Sequence, residues 1–135
     1  MTATTPGVAL NAARGAAKGQ LIAVMQPHRY SRLQSLFDGF CQCFREADTV
    51  LIAPVYAAGE TPNGFDRDKL IEGVRGTGHA RVYPVENEET LTSTVAALAR
   101  PGDLVIGLGA GTITEWAHAL PSNLSVYSSF AGAAE

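Results

Sequence analysis

A histidine and two arginines directly follow a short apolar run near the start of the chain. The run is "LIAVM", and the stretch after it, "QPHRYSR" at 26–32, carries His28, Arg29 and Arg32. If a helix begins after this turn, Arg32 falls in its first turn, beside the positive end of the helix dipole. Guanidiniums placed there predict a bound anion, because Arg can hold a carboxylate or a phosphate through two parallel hydrogen bonds.

The same residues also allow simpler interpretations. Both arginines could be solvated, or could pair with an Asp or Glu of a neighbouring loop. His28 lies in the predicted turn, where a hydrogen bond that stabilises the turn is its expected role. The pattern leaves these alternatives open beside the anion site.

Two further polar or glycine-rich segments follow later apolar runs. "VYAAGE" offers Tyr56 and Glu60 as polar partners, although each alone is typical of a surface loop. "GLGAGT" contains three neighbouring candidates for a ligand-facing backbone, Gly109, Ala110 and Gly111. Because ligands of open α/β sheets bind at the carboxyl ends of the strands, we expect all three segments to line one edge.

The glycine segment is not a dinucleotide fingerprint. Gly107 and Gly109 fit the start of G-x-G-x-x-G, but the third glycine belongs at the position of Thr112. The Lys of a phosphate-binding P-loop is absent from the segment too. The glycines could serve only a tight turn with close helix packing, or could let a ligand approach the backbone.

The elements that position these segments alternate between strand and helix. Nearly continuous apolar runs predict buried parallel strands; they cover 20–26, 49–56, 80–86 and 103–109. Helical patterns lie between them, and one more covers 8–18. Expected helix caps are Ser31 with Gln34, Asp66, Asn87, and Thr112 with Glu115. The order predicts an α/β fold: a doubly wound, mostly parallel, Rossmann-like sheet with helices on both faces.

The size and the charge of the chain limit the number of domains and the kinds of partner that we expect. At 135 residues the chain has room for one domain. We expect a loosely ordered or added leader at 1–7, the domain at 8–121, and a loosely ordered tail at 122–135. The net charge of −3 without a basic stripe argues against nucleic acid or an anionic membrane as the main partner. No apolar run approaches the ~20 residues that span a bilayer.

Cysteine usage and the first residues predict a cytoplasmic protein. The sequence begins "MTATTPGVAL", which lacks the layout of a secretory signal. Cys41 and Cys43 have no Cys or His partners at zinc spacing, so we expect reduced, incidental thiols and no metal site.

Three segments together resemble one enzyme family. "QPHRYSRLQSLFDGF", "DTVLIAPVYAAGE" and "GDLVIGLGAGTITEWAHALP" are similar, in this order and spacing, to the C-terminal domain of the UDP-N-acetylmuramate–L-alanine ligases of the Mur ligase family. The likeness runs from about residue 8 to 121. It implies an ATP-dependent ligase of peptidoglycan precursor synthesis, in which an acyl phosphate of UDP-N-acetylmuramate is attacked by the amine of L-alanine.

The resemblance also implies roles for residues. Arg29 and Arg32 would hold the carboxylate of L-alanine. His28 would belong to the same substrate site and is also a candidate proton acceptor. The edge with Tyr56 and Glu60 would face the ATP cleft, together with the glycine segment at 109–111.

Departures from the family pattern limit what the chain would do. The UDP-sugar domain and the central ATPase, which would bind most of the ATP and Mg²⁺, are absent from this sequence, so we expect a fragment that is not catalytic alone. Position 112 is Thr, where Asp or Asn is frequent in the family, and "ETPNGFD" at 60–66 also differs from the common form. The alternative is a stand-alone small-ligand-binding or regulatory module of the same fold.

Overall fold

Helices and strands alternate along the part of the chain that the structure describes. The computed structural model describes residues 5–100, 102–109, 113, 115–116 and 118–121. The helices are α1 (Thr5–Ala16), α2 (Tyr30–Ser35), α3 (Phe37–Gln42), α4 (Arg67–Gly76) and α5 (Glu88–Leu98). The strands are β1 (Leu21–Met25), β2 (Thr49–Ile52), β3 (Val82–Pro84) and β4 (Leu104–Leu108). The described residues from 113 to 121 are helical as well.

The four strands form one parallel sheet in the order β3-β2-β1-β4. The chain steps outward from β1 to β2 and β3, then crosses back over β1 to reach β4. In register, Val24 of β1 lies between Leu51 and Gly107. This order confirms the predicted doubly wound α/β fold and puts the reversal of strand order between β1 and β4, where such sheets bind ligands.

Both faces of the sheet are covered, which explains why β1 is apolar throughout. Leu21, Ala23 and Met25 belong to the core cluster beneath α1, α2, α3 and α4. Ile22 and Val24 point the other way, into the cluster with α5 and the helical residues after β4. All five are buried, and each large aliphatic side chain contributes about 1.5–3 kcal/mol by leaving water.

Two predicted helix caps are confirmed. Asp66 accepts a hydrogen bond from the Lys69 amide at 3.0 Å. Asn87 accepts from the Thr90 amide at 2.8 Å, and the Thr90 hydroxyl accepts in return from the Asn87 amide at 2.9 Å. These contacts pair amides that the first helical turn leaves without partners. The cap expected at Thr112 lies outside the described residues.

Several predicted bounds need correction. α1 begins at Thr5, within the expected leader, while residues 1–4 and the tail at 122–135 lie outside the description. β2 ends at Ile52, two residues before Pro54, which has no amide hydrogen to continue a ladder. The helix expected after β1 is broken at Leu36 (φ −115°, ψ 20°) into α2 and α3.

The cysteines are free thiols in the α3 region. Cys41 is buried where α3 crosses α4, so close to Gly73 that a Cβ added to this glycine would overlap the Cys41 sulfur. Burial raises the pKa of Cys43 to about 12, which keeps it as the unreactive thiol. Across the described ranges, no helix has the length and apolarity to cross a membrane, and no cluster of three His, Cys, Asp or Glu could hold a metal.

Candidate functional site

The carboxyl ends of β1 and β2 are joined by a short parallel bridge between His28 and Tyr56. The Tyr56 amide donates to the Pro27 carbonyl at 2.8 Å, and the Arg29 amide donates to the Tyr56 carbonyl at 2.7 Å. The rings of His28 and Tyr56 stack above this bridge, with centroids 5.3 Å apart and planes 18° from parallel. The structure therefore brings the first two predicted segments into contact.

The bridge holds Arg29 in a rarely populated backbone conformation. Arg29 has φ 72° and ψ 134°, although it is not a glycine. Such a geometry costs on the order of 1–3 kcal/mol and persists only where its surroundings impose it. Here the amide is tied to Tyr56, and the carbonyl accepts from the Leu33 amide at 3.1 Å. These two hydrogen bonds fix the backbone of Arg29 and therefore the position of its Cα, from which the side chain extends.

Neither arginine of the turn forms an ion pair with a described residue. The salt bridges in the described part of the chain all lie elsewhere: Arg14–Asp48, Arg67–Asp68 and Arg67–Glu86. Arg29 and Arg32 are both exposed, and Arg29 contributes a favourable electrostatic effect to Glu60 without a salt bridge. Both guanidiniums keep their hydrogen-bond donors available for an anion.

Glu60 performs the capping role predicted for Ser31. α2 begins at Tyr30, so Ser31 lies inside the first turn, and the expected cap at Ser31 is wrong. Instead the Glu60 carboxylate accepts from the Ser31 amide at 3.0 Å and also from the Ser31 hydroxyl. These two bonds lower the pKa of Glu60. Because the Ser31 amide already donates to Glu60, this backbone donor is not available to an external anion. Such an anion would bind to the guanidiniums instead.

A second contact joins the same loop to α2. The Asn63 side-chain amide donates to the Gln34 carboxamide oxygen at 3.1 Å. Gln34 was expected to help cap its own helix, but its partner comes from the loop after β2. The loop from Glu60 to Asn63 therefore lies along the helix that carries Arg32.

Gln26 is a site residue that sequence reasoning missed. It is 5% exposed, and its Nε2 donates to the Pro54 carbonyl at 3.2 Å. Its Oε1 accepts from the Ile113 amide at 3.2 Å, while its backbone amide donates to Leu108 at 3.0 Å. The available signal was a polar residue that directly continues a fully buried apolar run.

Gly109 is required by the protein's own backbone. It has φ 125°, and a Cβ there would lie 2.6 Å from the Gln26 carbonyl oxygen. Gly109 of the third predicted segment thus packs against the end of β1, beside the first segment. Ala110, Gly111 and Thr112, its remaining candidates, lie outside the described residues.

The predicted site residues occupy one edge with different exposures. Tyr56 is 43% exposed, His28 is half-buried beneath its ring, and Glu60 is half-buried against α2. Trp116 is partly buried and packs against the core cluster beneath α5. The edge therefore presents cations and an aromatic ring over a hydrogen-bonded frame, which is an arrangement suited to a small anionic ligand.

The chain belongs to the Mur ligase family. The family described as "Mur ligase, glutamate ligase domain" matches residues 2–111. This match and the fold confirm the resemblance inferred from the three sequence segments.

Relatives and a solved structure agree with the assignment. The chain is 59% identical over 117 residues to a UDP-N-acetylmuramate–L-alanine ligase of Methylobacterium radiotolerans, covering 86% of this chain and 25% of that protein. It is 60% identical over 116 residues to the enzyme of the same name from Azorhizobium caulinodans, covering 85% and 25%. The crystal structure of a UDP-N-acetylmuramate–alanine ligase from Thermotoga maritima shares the fold, with a TM-score of 0.68 at 18% identity over 90% of this chain and 24% of that one. The chain thus spans about a quarter of the length of these relatives.

Proposed function

We propose that this chain is the C-terminal, amino-acid-binding domain of an ATP-dependent ligase that joins L-alanine to UDP-N-acetylmuramate in peptidoglycan precursor synthesis. The observation that carries the proposal is the pair of exposed guanidiniums of Arg29 and Arg32, neither of which forms a salt bridge with a described residue. The family and the names of the relatives support it.

The arginine pair suits the carboxylate of a small amino acid. L-Alanine offers few contacts, so its carboxylate is the obvious group to bind, and each charge-assisted bond contributes about 1.5–3 kcal/mol. Fixing the carboxylate aims the amine at the activated acyl group, and such positioning is worth up to roughly 7–11 kcal/mol in ideal cases. Arg29 acts from a strained, fixed turn and Arg32 from the first turn of a helix.

His28 is the candidate for taking the proton that the alanine ammonium must lose before it attacks. Its ring adjoins the arginine turn and is held by Tyr56. The proposal for His28 predicts that His28→Gln lowers turnover; unchanged turnover would remove the role.

The nucleotide and the metal belong to the rest of the enzyme in this proposal. ATP supplies the phosphoryl group that activates the lactyl carboxylate of UDP-N-acetylmuramate. As the family resemblance implies, we assign the ligands of Mg²⁺ to the central domain of the enzyme. We propose that Tyr56, Glu60 and the segment 109–111 face the ATP cleft. These substrates and the free thiols fit a cytoplasmic protein.

A hybrid enzyme tests the proposal. Residues 8–121 would replace the homologous segment of the Methylobacterium radiotolerans ligase, and phosphate release from ATP and Mg²⁺ with UDP-N-acetylmuramate would be followed with and without L-alanine. We expect alanine-dependent turnover. Arg29→Ala and Arg32→Ala should each raise the KM for alanine about 10- to 150-fold, as expected for the loss of one charged hydrogen bond. Arg45→Ala, at an exposed arginine beyond α3, is the matched control.

The outcomes separate the proposals. Alanine-dependent turnover with an unchanged KM in both Arg variants would keep the ligase and refute the carboxylate role. A hybrid that shows no alanine dependence would refute the function. In that case, binding of L-alanine by the 135-residue chain would favour the stand-alone binding module.

A further inference from the structure

Two glutamines bracket β1, one at each end of the strand. At the amino end, the Gln20 carboxamide bonds to Asp103 at 3.0 Å and also accepts from the Thr49 hydroxyl, linking β1 to the starts of β2 and β4. At the carboxyl end, the Gln26 carboxamide bonds to Pro54 and to Ile113, linking β1 to the segments after β2 and β4. The two side chains make equivalent links at opposite ends of the strands, Gln20 at the amino ends and Gln26 at the carboxyl ends. Only the carboxyl ends carry the arginine turn.

Gln26 forms the first of two links between the end of β1 and the loop after β2. Its Nε2 donates to the Pro54 carbonyl at 3.2 Å. Two residues further along that loop, the Tyr56 carbonyl accepts from the Arg29 amide at 2.7 Å. A shift of Pro54 relative to β1 therefore moves the acceptor that keeps Arg29 at positive φ. On the other side, the Oε1 bond to Ile113 fixes the helix that follows the glycine segment.

Burial explains why this residue has to be an amide. At 5% exposure, the side chain has little water to replace its protein partners, and a buried polar group is tolerated only where its bonds are made. A carboxamide donates with one atom and accepts with the other, so it can join a carbonyl and an amide at once. An apolar side chain could fill the space but could orient neither segment.

We propose that Gln26 is a positioning residue: its carboxamide fixes the position of the arginine turn relative to Ile113, which follows β4. This inference rests on the proposed function, because it concerns how that site is held in geometry. Gln26 has no contact with substrate in this proposal and acts through Pro54 and Ile113.

Amide hydrogen exchange in the 135-residue chain tests the positioning directly. Gln26→Met should accelerate exchange of the Arg29 amide at least 10-fold while the Gly19 amide, which is bonded to Gly102 at the opposite edge, changes less than twofold. Gln20→Met should show the reverse pattern. Equal acceleration at both amides in either variant would mean a general loss of stability and would overturn the proposal.

Turnover of the hybrid enzyme gives the second measurement. We expect Gln26→Met to lower kcat/KM for alanine at least 10-fold and Gln20→Met to leave it within twofold, at similar losses in Tm. Equal effects on kcat/KM would overturn the proposal. If Gln26→Met does not fold, Gln26→Asn keeps a polar carboxamide but is one methylene too short to bond to both Pro54 and Ile113, and the same exchange contrast applies. A wild-type hybrid without alanine dependence refutes the proposed function alone, since the exchange pattern still decides whether Gln26 holds the turn.

Discussion

The positive φ of Arg29 can be tested by comparing two substitutions at that position. Arg29→Ala and Arg29→Gly both remove the guanidinium, but only glycine adopts φ 72° without a steric cost. Their difference in stability therefore isolates the backbone strain from every loss of side-chain contact. We expect the glycine variant to be the more stable of the two.

The magnitude follows from two opposing costs. Relief of the strain is worth about 2 kcal/mol, the middle of the usual range. Glycine loses about 0.5–1 kcal/mol more than alanine through the greater freedom of its unfolded chain. The balance is about 1 kcal/mol in favour of Arg29→Gly, or roughly 3–5 °C in Tm for a domain of this size.

Denaturant unfolding of the 135-residue chain measures this difference. Glu72 is the matched control, because it is an exposed position inside α4 with ordinary helical geometry. There the order should reverse, with Glu72→Gly less stable than Glu72→Ala by about 1 kcal/mol. An Arg29→Gly variant no more stable than Arg29→Ala would refute the account of a strained turn, whatever the arginine binds.

Two further predictions concern the same edge. Since the fold lowers the pKa of Glu60 through its bonds to Ser31, the carboxylate stabilises above its unfolded pKa and this contribution is lost as pH falls through the folded value. The advantage of wild type over Glu60→Gln in denaturant midpoint should therefore shrink from pH 7 towards acid; an advantage independent of pH would contradict the bonding. Gly109→Ala should destabilise by at least about 2 kcal/mol, because its Cβ would meet the Gln26 carbonyl at a strained φ. The control is Gly15→Ala in α1, where the added Cβ meets nothing within 4 Å, and this variant should be more stable by about 0.5–1 kcal/mol. Equal shifts in Tm for Gly109→Ala and Gly15→Ala would be evidence against the close approach of Gly109 to Gln26.

Local chemistry accounts for the predictions that the structure confirms. Asp66 and Asn87 cap helices through amides three residues away, so their partners could be read from neighbouring positions. The apolar runs predicted parallel strands because both faces of this sheet are covered. In the first case the interacting residues are close in sequence. In the second case the prediction depends on the apolar character of a whole strand rather than on any single contact.

Long-range partners account for what sequence reasoning missed. Ser31 matched a capping pattern, yet the carboxylate at the helix start comes from Glu60, 29 residues later. Gln26 bonds to residues 28 and 87 positions away. A single sequence gives no signal for such pairs, because each partner is also an ordinary residue of its own loop.

The sequence by itself determined the order of the elements, the parallel sheet, the family and the two arginines at the end of β1. These follow from residue types in short windows, where periodicity and motif spacing leave few alternatives. Only the tertiary structure decided that Tyr56 holds Arg29 at positive φ, that Glu60 takes the amide of Ser31, and that Gln26 joins three segments at one edge. The physical reason is that hydrogen-bond partners for buried or strained groups are chosen by which segments the folded sheet brings together.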